Sequence, residues 1–271
     1  MTTIQRCKPL LGTFVEISLT EQISNKALTS LSQSMFEKIK SVQNRMSFHD
    51  KSSELSYINQ FAHQKVIEMS DEMTTVIKHA LWLSNATKGD FDTSIAGQLV
   101  AEGILPDHHY QVNATANWKD IILEHNKIHF QRPLILDLGG IAKGFAVDAA
   151  ISIADLDCDT TVNAGGDLRM THWEKKHVAI RIPYSIAGES VEVEMRAPAL
   201  ATSGHYYNQD IISTNYNSKE INPDESVSIF SRSCMVADSL TKVAMLHQDS
   251  TEIIASFSSH IVKLDRTGHF R

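Results

Sequence analysis

The stretch LDLGGIAKGFAVDAA, residues 136–150, runs from an apolar strand pattern into a glycine pair and then into an alanine-rich helix pattern. Glycines let a backbone approach a ligand closely, and the first N–H groups of a helix are available to an anion. Lys143 adds a positive charge there, and Asp137 can accept hydrogen bonds or lie near a metal. The GGxxxG spacing matches neither the dinucleotide fingerprint nor the phosphate loop. Two alternatives stay open from this segment alone: an anion site, or a tight turn with a surface lysine.

Four other short segments combine polar side chains with turn or helix signals. They are GDFDTS (89–94), NAGGD (163–167), ATSG (201–204) and ADSLTK (237–242). Asp92 and Thr93 are suitable loop ligands, and the ATSG hydroxyls suit a phosphate or a ribose. Each segment also has an ordinary interpretation as a turn, a solvated loop or an i,i+4 surface ion pair. The thirteen histidines show no metal-ligating spacing, and no GxSxG nucleophile motif is present.

Composition excludes several classes of protein. The chain has 271 residues, 42% of them hydrophobic, which is typical of a globular protein, and its net charge of −7 disfavours a nucleic-acid binder. The three cysteines, Cys7, Cys158 and Cys234, form no CxxC pair, so we expect free thiols in a reducing compartment. No apolar run precedes Cys7, and no stretch reaches the ~20 apolar residues of a membrane span. A cytoplasmic protein without a membrane span is predicted.

Periodicity predicts a mixture of helices and strands. Helices are expected over 24–43, 71–87, 141–153 and 235–246. Strands are expected over 12–19, within 119–138 with the last at 134–138, and over 160–162 and 227–230. Segments 177–183 and 190–197 alternate well enough to form a hairpin, and short strands are favoured in the last twenty residues. The elements do not alternate regularly as in a doubly wound parallel sheet, so the predicted class is α+β. Because no linker composition appears, one domain over 1–271 is expected.

Taken together and in this order, the motifs resemble those of the ApbE family of FAD:protein FMN transferases. The matching stretches are LLGTFVEI (10–17), RMSFHDKSSELSYIN (45–59), GDFDTSIAGQLV (89–100), LDLGGIAKGFAVDAA (136–150), VNAGGDLR (162–169), ALATSGHY (199–206), INP (221–223) and VADSL (236–240). They extend over most of the chain, and the succession of the 136–150 and 162–169 blocks is specific. The resemblance implies two interleaved α/β halves with a flavin cleft between them.

The resemblance also implies a reaction. Such enzymes bind FAD with a divalent cation, usually Mg2+, transfer FMN to a Ser or Thr hydroxyl of an acceptor flavoprotein, and release AMP. Two alternatives remain: an FAD-binding protein that has lost transfer, and an FAD pyrophosphatase without a protein acceptor. The acceptor is expected to carry a Ser/Thr flavinylation motif and to be reached from the cytoplasm.

Site residues follow from the resemblance, position by position. Lys143 and Asp238 are the implied catalytic residues, and the implied metal ligands are the Gly140 carbonyl and Asp238. Thr241, one residue before the family's Thr position, is the third candidate metal ligand. The implied FAD contacts are Leu11, Phe48, Asp90, Phe91, Asp92, Thr93, Asp137, Lys143, Thr202, Ser203, Gly204 and Ile221.

Two departures from the family pattern bear on the chemistry. The family commonly has a metal-binding Thr where this chain has Lys242, and Thr241 precedes it by one residue, about 100° around a helix. An ammonium at this position either swings away from the cation or pairs with Asp238 and replaces it; we expect the first. The second departure is KEINPDES, residues 219–226, which lacks the His, Asp and Thr-Gly of the family's HIIDPRTG stretch.

Overall fold

The computed structural model describes residues 1–155, 157–185, 188–204 and 224–271. Seven helices lie in these ranges: α1 Asn25–Met46, α2 Glu54–Phe61, α3 Asp71–Ala86, α4 Ala96–Ala101, α5 Ala142–Ile151, α6 Cys234–Leu246 and α7 Ser250–Ser256. Twelve strands accompany them: β1 Thr2–Leu10, β2 Thr13–Glu21, β3 Ile67–Glu68, β4 Ile121–Glu124, β5 Lys127–Phe130, β6 Asp159–Ala164, β7 Asp167–Met170, β8 His177–Arg181, β9 Ser190–Glu194, β10 Ala199–Gly204, β11 Glu225–Ser231 and β12 His260–Asp265. The α+β prediction is confirmed.

The chain divides into two compact units. One combines Met1–Lys40 with Lys143–Arg271, and the other is Ser41–Ala142. We call them the sheet unit and the inserted unit. The division does not test the expectation of one domain over 1–271, which stays a prediction.

The sheet unit is built on an antiparallel sheet of seven strands in the order β1-β2-β6-β7-β10-β11-β12. Val15, Ile17 and Leu19 alternate with more exposed residues along β2, so one face of this strand is fully buried. The predicted hairpin is confirmed, because β8 pairs with β9 to form a separate two-stranded sheet. Its side chains share an apolar cluster with Leu200 and Phe230 of the large sheet.

The inserted unit contains helices and a three-stranded sheet of order β3-β5-β4. Segment Leu134–Leu138, which reads as a strand from its sequence, forms only one isolated bridge, between Ile135 and Ile95. The buried side chain of Asn59 occupies the place of a ladder partner. Its amide donates to the Leu136 carbonyl over 2.9 Å, and its carbonyl oxygen accepts the Leu136 N–H over 2.8 Å. The segment is thus fixed by a side chain, which apolar periodicity does not reveal.

The predicted helices occur with slightly shifted ends. The Ser70 hydroxyl caps α3 by accepting the Met73 N–H, as the sequence indicates. Sequence periodicity did not identify strand β1. The short strands favoured in the last twenty residues are confirmed by β12, whereas residues 252–256 belong to helix α7. None of the described helices has the length and apolar character needed to span a bilayer.

Burial of His79 on α3 predicts acid sensitivity. Loss of hydration lowers its pKa from 6.5 to about 4, so the unfolded chain binds more protons below pH 6.5 than the folded chain does. Stability from this residue is therefore lost as the pH falls from about 6.5 towards 4, by at most about 3 kcal/mol. We expect His79→Gln to flatten urea-measured stability over this range. The exposed His177→Gln should follow the parent, and equal pH slopes for the two variants would contradict the assignment.

Candidate functional site

Lys143 lies in the first turn of α5 and contacts a buried carboxylate. Its Nζ donates to Oδ2 of Asp167 over 2.5 Å, and the Asp167 side chain is 2% exposed. The turn between β6 and β7 places this carboxylate, because Gly165 and Gly166 have φ values of +68° and +103°. Such angles suit glycine, so the NAGGD segment is a tight hairpin turn whose last residue turns towards Lys143.

Asp238, in the second turn of α6, is completely buried and has two partners. Its Oδ2 accepts the backbone N–H of Gly144 over 3.1 Å, and its Oδ1 accepts from the ammonium of Lys242, one turn later on α6. The structure therefore brings Lys143, Asp167, Asp238 and Lys242 into one cluster, which we call the charge cluster. The sequence assigned site roles to Lys143 and Asp238, raised pairing of Lys242 with Asp238 as the less expected alternative, and gave no role to Asp167.

Gly144 explains how close α5 and α6 come to each other. A Cβ on this glycine would lie 2.3 Å from the Cys234 carbonyl oxygen and 2.8 Å from the Asp238 Cβ. Only a residue without a side chain lets the Gly144 N–H reach the Asp238 carboxylate. The last glycine of GGxxxG is thus a helix-packing position, whereas the sequence pattern presents these glycines mainly as turn or ligand positions.

Asp148 holds the amino terminus of α6 in place. Its carboxylate accepts the N–H groups of Cys234 and Met235 over 2.9 and 2.8 Å, and it also pairs with Arg169 at 2.7 Å. A carboxylate at a helix amino terminus satisfies unpaired N–H groups and complements the helix dipole. Asp148 therefore fixes α6, and with it Asp238, against α5. No local pattern in the sequence distinguishes Asp148 from a surface aspartate on a helix.

The pKa values of the two carboxyl groups in the charge cluster shift in opposite directions. Loss of hydration, together with repulsion from Asp238, raises the pKa of Asp167 despite the nearby Lys143. Burial also disfavours the ionised form of Asp238, but Lys242 and Lys143 outweigh it and hold its pKa below the usual value. Loss of hydration disfavours the charge on Lys143, but the two carboxylates outweigh it and raise the pKa of this residue. At neutral pH Lys143 is therefore a cation and Asp238 an anion.

The hydroxyl groups predicted to contact FAD lie along β10. Thr202 shares a hydrogen bond of 2.8 Å with Ser228, and Ser203 shares one of 2.7 Å with Thr241. The buried Thr241 hydroxyl also donates to the Asp238 backbone carbonyl over 2.7 Å. Thr241, expected to bind a metal, is thus bonded to a carbonyl and a hydroxyl. Gly204 pairs with Ser226 at the end of the strand.

In the inserted unit, the structure brings two of the predicted segments together. The Asp137 N–H donates to the Thr93 carbonyl over 2.8 Å, so GDFDTS lies beside LDLGG. Asp92 accepts both the N–H and the hydroxyl of Ser94 at 2.7 Å, and Asp137 accepts the Gly139 N–H over 3.0 Å. Loss of hydration raises the pKa of both carboxyl groups. Each carboxylate therefore stabilises a local turn at a position that is largely shielded from water.

The aromatic residues expected near the flavin are largely buried within this unit. Phe48 is 3% exposed and stacks on His108 at a ring distance of 5.3 Å, and Phe91 is 5% exposed. Asp90 lies in the turn after α3, and Gly140 lies in the turn before α5. Leu11 lies in the β1–β2 turn of the sheet unit. Ile221 lies outside the described residues, as does most of KEINPDES. All of these site assignments stay predictions.

The fold and the motif positions define an α+β protein of the ApbE type. The ApbE family model matches residues 11–261, so the chain belongs to the ApbE family. It is 27% identical to an FAD:protein FMN transferase of Vibrio cholerae, covering 88% of this chain and 79% of the relative. It is 26% identical to one of Chlamydia pneumoniae, with 88% and 83% covered.

Solved structures agree on the fold. The flavin transferase ApbE from Vibrio cholerae superposes with a TM-score of 0.80 at 24% identity, over 100% of this chain and 96% of that one. The ApbE protein of Thermotoga maritima gives the same TM-score and the same coverage at 22% identity.

The close approach at Gly144 predicts a costly substitution. Gly144→Ala should destabilise the protein by about 1–3 kcal/mol, because the methyl group must push apart two helix backbones. Gly97→Ala is the matched control, since Gly97 is also helical and its added Cβ would first meet the half-exposed side chain of Val112. Urea unfolding measures both. Equal stability of the two variants would show that α5 and α6 separate without cost.

Proposed function

We propose that this chain transfers FMN from FAD to a hydroxyl group of an acceptor protein and releases AMP. Membership of the ApbE family supports the proposal, as does the name FAD:protein FMN transferase carried by its relatives. The observation that carries it is the charge cluster, because Lys143, Asp167 and Asp238 all lie in the motifs that this chain shares with the family. Lys143 offers positive charge in the first turn of α5, which suits a pyrophosphate substrate.

The reaction exchanges one phosphorus–oxygen bond for another. The acceptor oxygen bonds to the FMN phosphorus, the bond from that phosphorus to the bridging oxygen breaks, and AMP leaves with the electron pair. The hydroxyl proton is released to the solvent. Such transfers depend on positioning and on neutralisation of the phosphate charge more than on covalent chemistry by the protein.

Charged and hydroxyl side chains in the shared motifs suit polar parts of FAD. Lys143 is a third exposed while its ammonium is held by Asp167, so it can present charge to a phosphate without leaving its place. The hydroxyls of Thr202 and Ser203 suit phosphate or ribose oxygens. We also assign Asp92, Thr93 and Asp137 to polar groups of FAD. Leu11, Phe48, Asp90, Phe91 and Gly204 complete the proposed FAD contacts.

The acceptor and the compartment extend the proposal. A Ser or Thr hydroxyl in a flavinylation motif is the proposed attacking group. The three cysteines are free thiols, which is consistent with a reducing compartment, and a cytoplasmic location stays a prediction.

The fit of a divalent cation is the weakest part of the assignment made from the sequence. Mg2+ prefers several oxygen ligands in octahedral geometry. Among the described residues, no group of three or more His, Cys, Asp or Glu side chains is arranged around a common metal position. Both carboxylate oxygens of Asp238 already have donors, and the Thr241 hydroxyl is bonded elsewhere. The residues of the sheet unit therefore do not fit Mg2+ at Asp238 while Lys242 stays in place.

The direct test is covalent transfer. The protein is incubated with FAD and an acceptor that carries a Ser/Thr flavinylation motif, with and without Mg2+, and the intact mass of the acceptor is measured. We expect an increase equal to FMN minus water, and one AMP released per flavin attached. AMP release without a mass increase would indicate an FAD pyrophosphatase. Binding without either product would indicate a flavin-binding protein.

Lys143 provides a residue-level test. Lys143→Met should weaken FAD binding by about 1.5–3 kcal/mol, because a charge-assisted contact is lost, and should change riboflavin binding much less. Because the substitution leaves Asp167 buried without its partner, the double variant Lys143→Met/Asp167→Asn controls for a folding defect. Flavin fluorescence titration gives both affinities. If FAD and riboflavin affinities fall equally, Lys143 does not bind the phosphates.

A further inference from the structure

We infer that Lys242 is the built-in cation of this site: its ammonium occupies the place beside Asp238 that a divalent metal would take, so FMN transfer by this chain requires no metal. The inference rests on the proposed function, and it reverses the expectation drawn from the sequence that Lys242 swings away from the cation.

The geometry ties Lys242 to Asp238 strongly. The two residues are four apart on α6, with the acidic residue first, which is the favourable order for a pair on one helix face. Asp238 is completely buried, and the Lys242 side chain is about a quarter exposed. Removal of the partner of a buried carboxylate strongly destabilises a protein. Movement of the Lys242 ammonium from Asp238 into solvent is therefore unfavourable.

Charge balance leads to the same conclusion. Asp167 and Asp238 face two lysines, Lys143 and Lys242, which act on both carboxylates. When all four groups are ionised, the charge cluster is neutral. A divalent cation added beside Asp238 would lie within a few ångströms of an ammonium and would be repelled by its like charge. Lys242 and the metal therefore compete for one carboxylate.

Lys242 can also neutralise negative charge on a pyrophosphate, as a metal cation would. An ammonium has three donors, and among the described residues only Asp238 accepts one of them, so the others suit an anion. Lys242 would orient the phosphate less strictly than Mg2+ does, because an ammonium binds as a point charge and lacks a fixed octahedral ligand set. Lys242 is thus assigned to the phosphate side of FAD.

The first experiment uses the unchanged protein. FMN transfer is followed by acceptor mass and AMP release in EDTA and in Mg2+, and we expect rates that agree within about twofold. Transfer that stops in EDTA and returns with Mg2+ would overturn the role of Lys242 and leave the proposed function intact. Absence of transfer in both buffers would refute the proposed function, and the second experiment then decides on Lys242, because it needs no turnover.

The second experiment measures cation binding with Mn2+ as the probe. Free Mn2+ is quantified by electron paramagnetic resonance for the protein with FAD, against FAD alone. Lys242→Thr removes the ammonium and adds a hydroxyl ligand, so it should bind Mn2+ at least about tenfold more tightly than the parent. It should also make any transfer sensitive to EDTA.

Lys176→Thr is the matched control. Its ammonium contacts Asp159 at 2.5 Å in the same unit, and its side chain is 34% exposed, close to the value for Lys242. We expect its Mn2+ affinity to equal that of the parent. If the parent, Lys242→Thr and Lys176→Thr all bind Mn2+ with the same affinity, Lys242 does not compete with the cation and the inference is wrong.

Discussion

The contact between α5 and α6 at Gly144 is the constraint on which the charge cluster depends. Because Gly144 has no side chain, its N–H reaches the carboxylate of Asp238, and the first turn of α5 comes to lie beside the second turn of α6. Lys143 precedes this glycine and Lys242 follows Asp238 by one turn, so both ammonium groups are brought to the same place. Asp148 secures the arrangement by capping α6 from α5.

This arrangement places charges where hydration is poor. Asp238 and Asp167 are almost completely buried, and the ammonium beside each carboxylate compensates for its loss of hydration. A buried ion pair contributes little to net stability compared with apolar packing, so the cluster is better explained by chemistry than by folding. Four ionisable groups held between two helices and a hairpin turn suit a substrate that itself carries two negative phosphates.

The inserted unit supports its polar segments in a different way. There, the turn 89–94 and the segment 134–139 are fixed by single hydrogen bonds from the backbone and from Asn59, and not by a continuous ladder. Side chains such as Asp92 and Asp137 complete local turns with their own backbone neighbours. Hydrogen bonds of this kind hold the backbone of both segments in defined positions.

The sequence by itself determined the fold class, the positions of the main helices and the family, because periodicity, caps and short motifs are local properties of the chain. It also placed Lys143 and Asp238 in motifs that carry chemistry. Which groups pair with them was decided only by tertiary structure, since Asp167 lies 24 residues beyond Lys143 and is positioned by a glycine turn. The same holds for Gly144, which reads as a turn or ligand glycine until α6 packs against it. Asn59 replaces a strand partner for Leu136, 77 residues away, and no local pattern encodes a hydrogen bond over that separation.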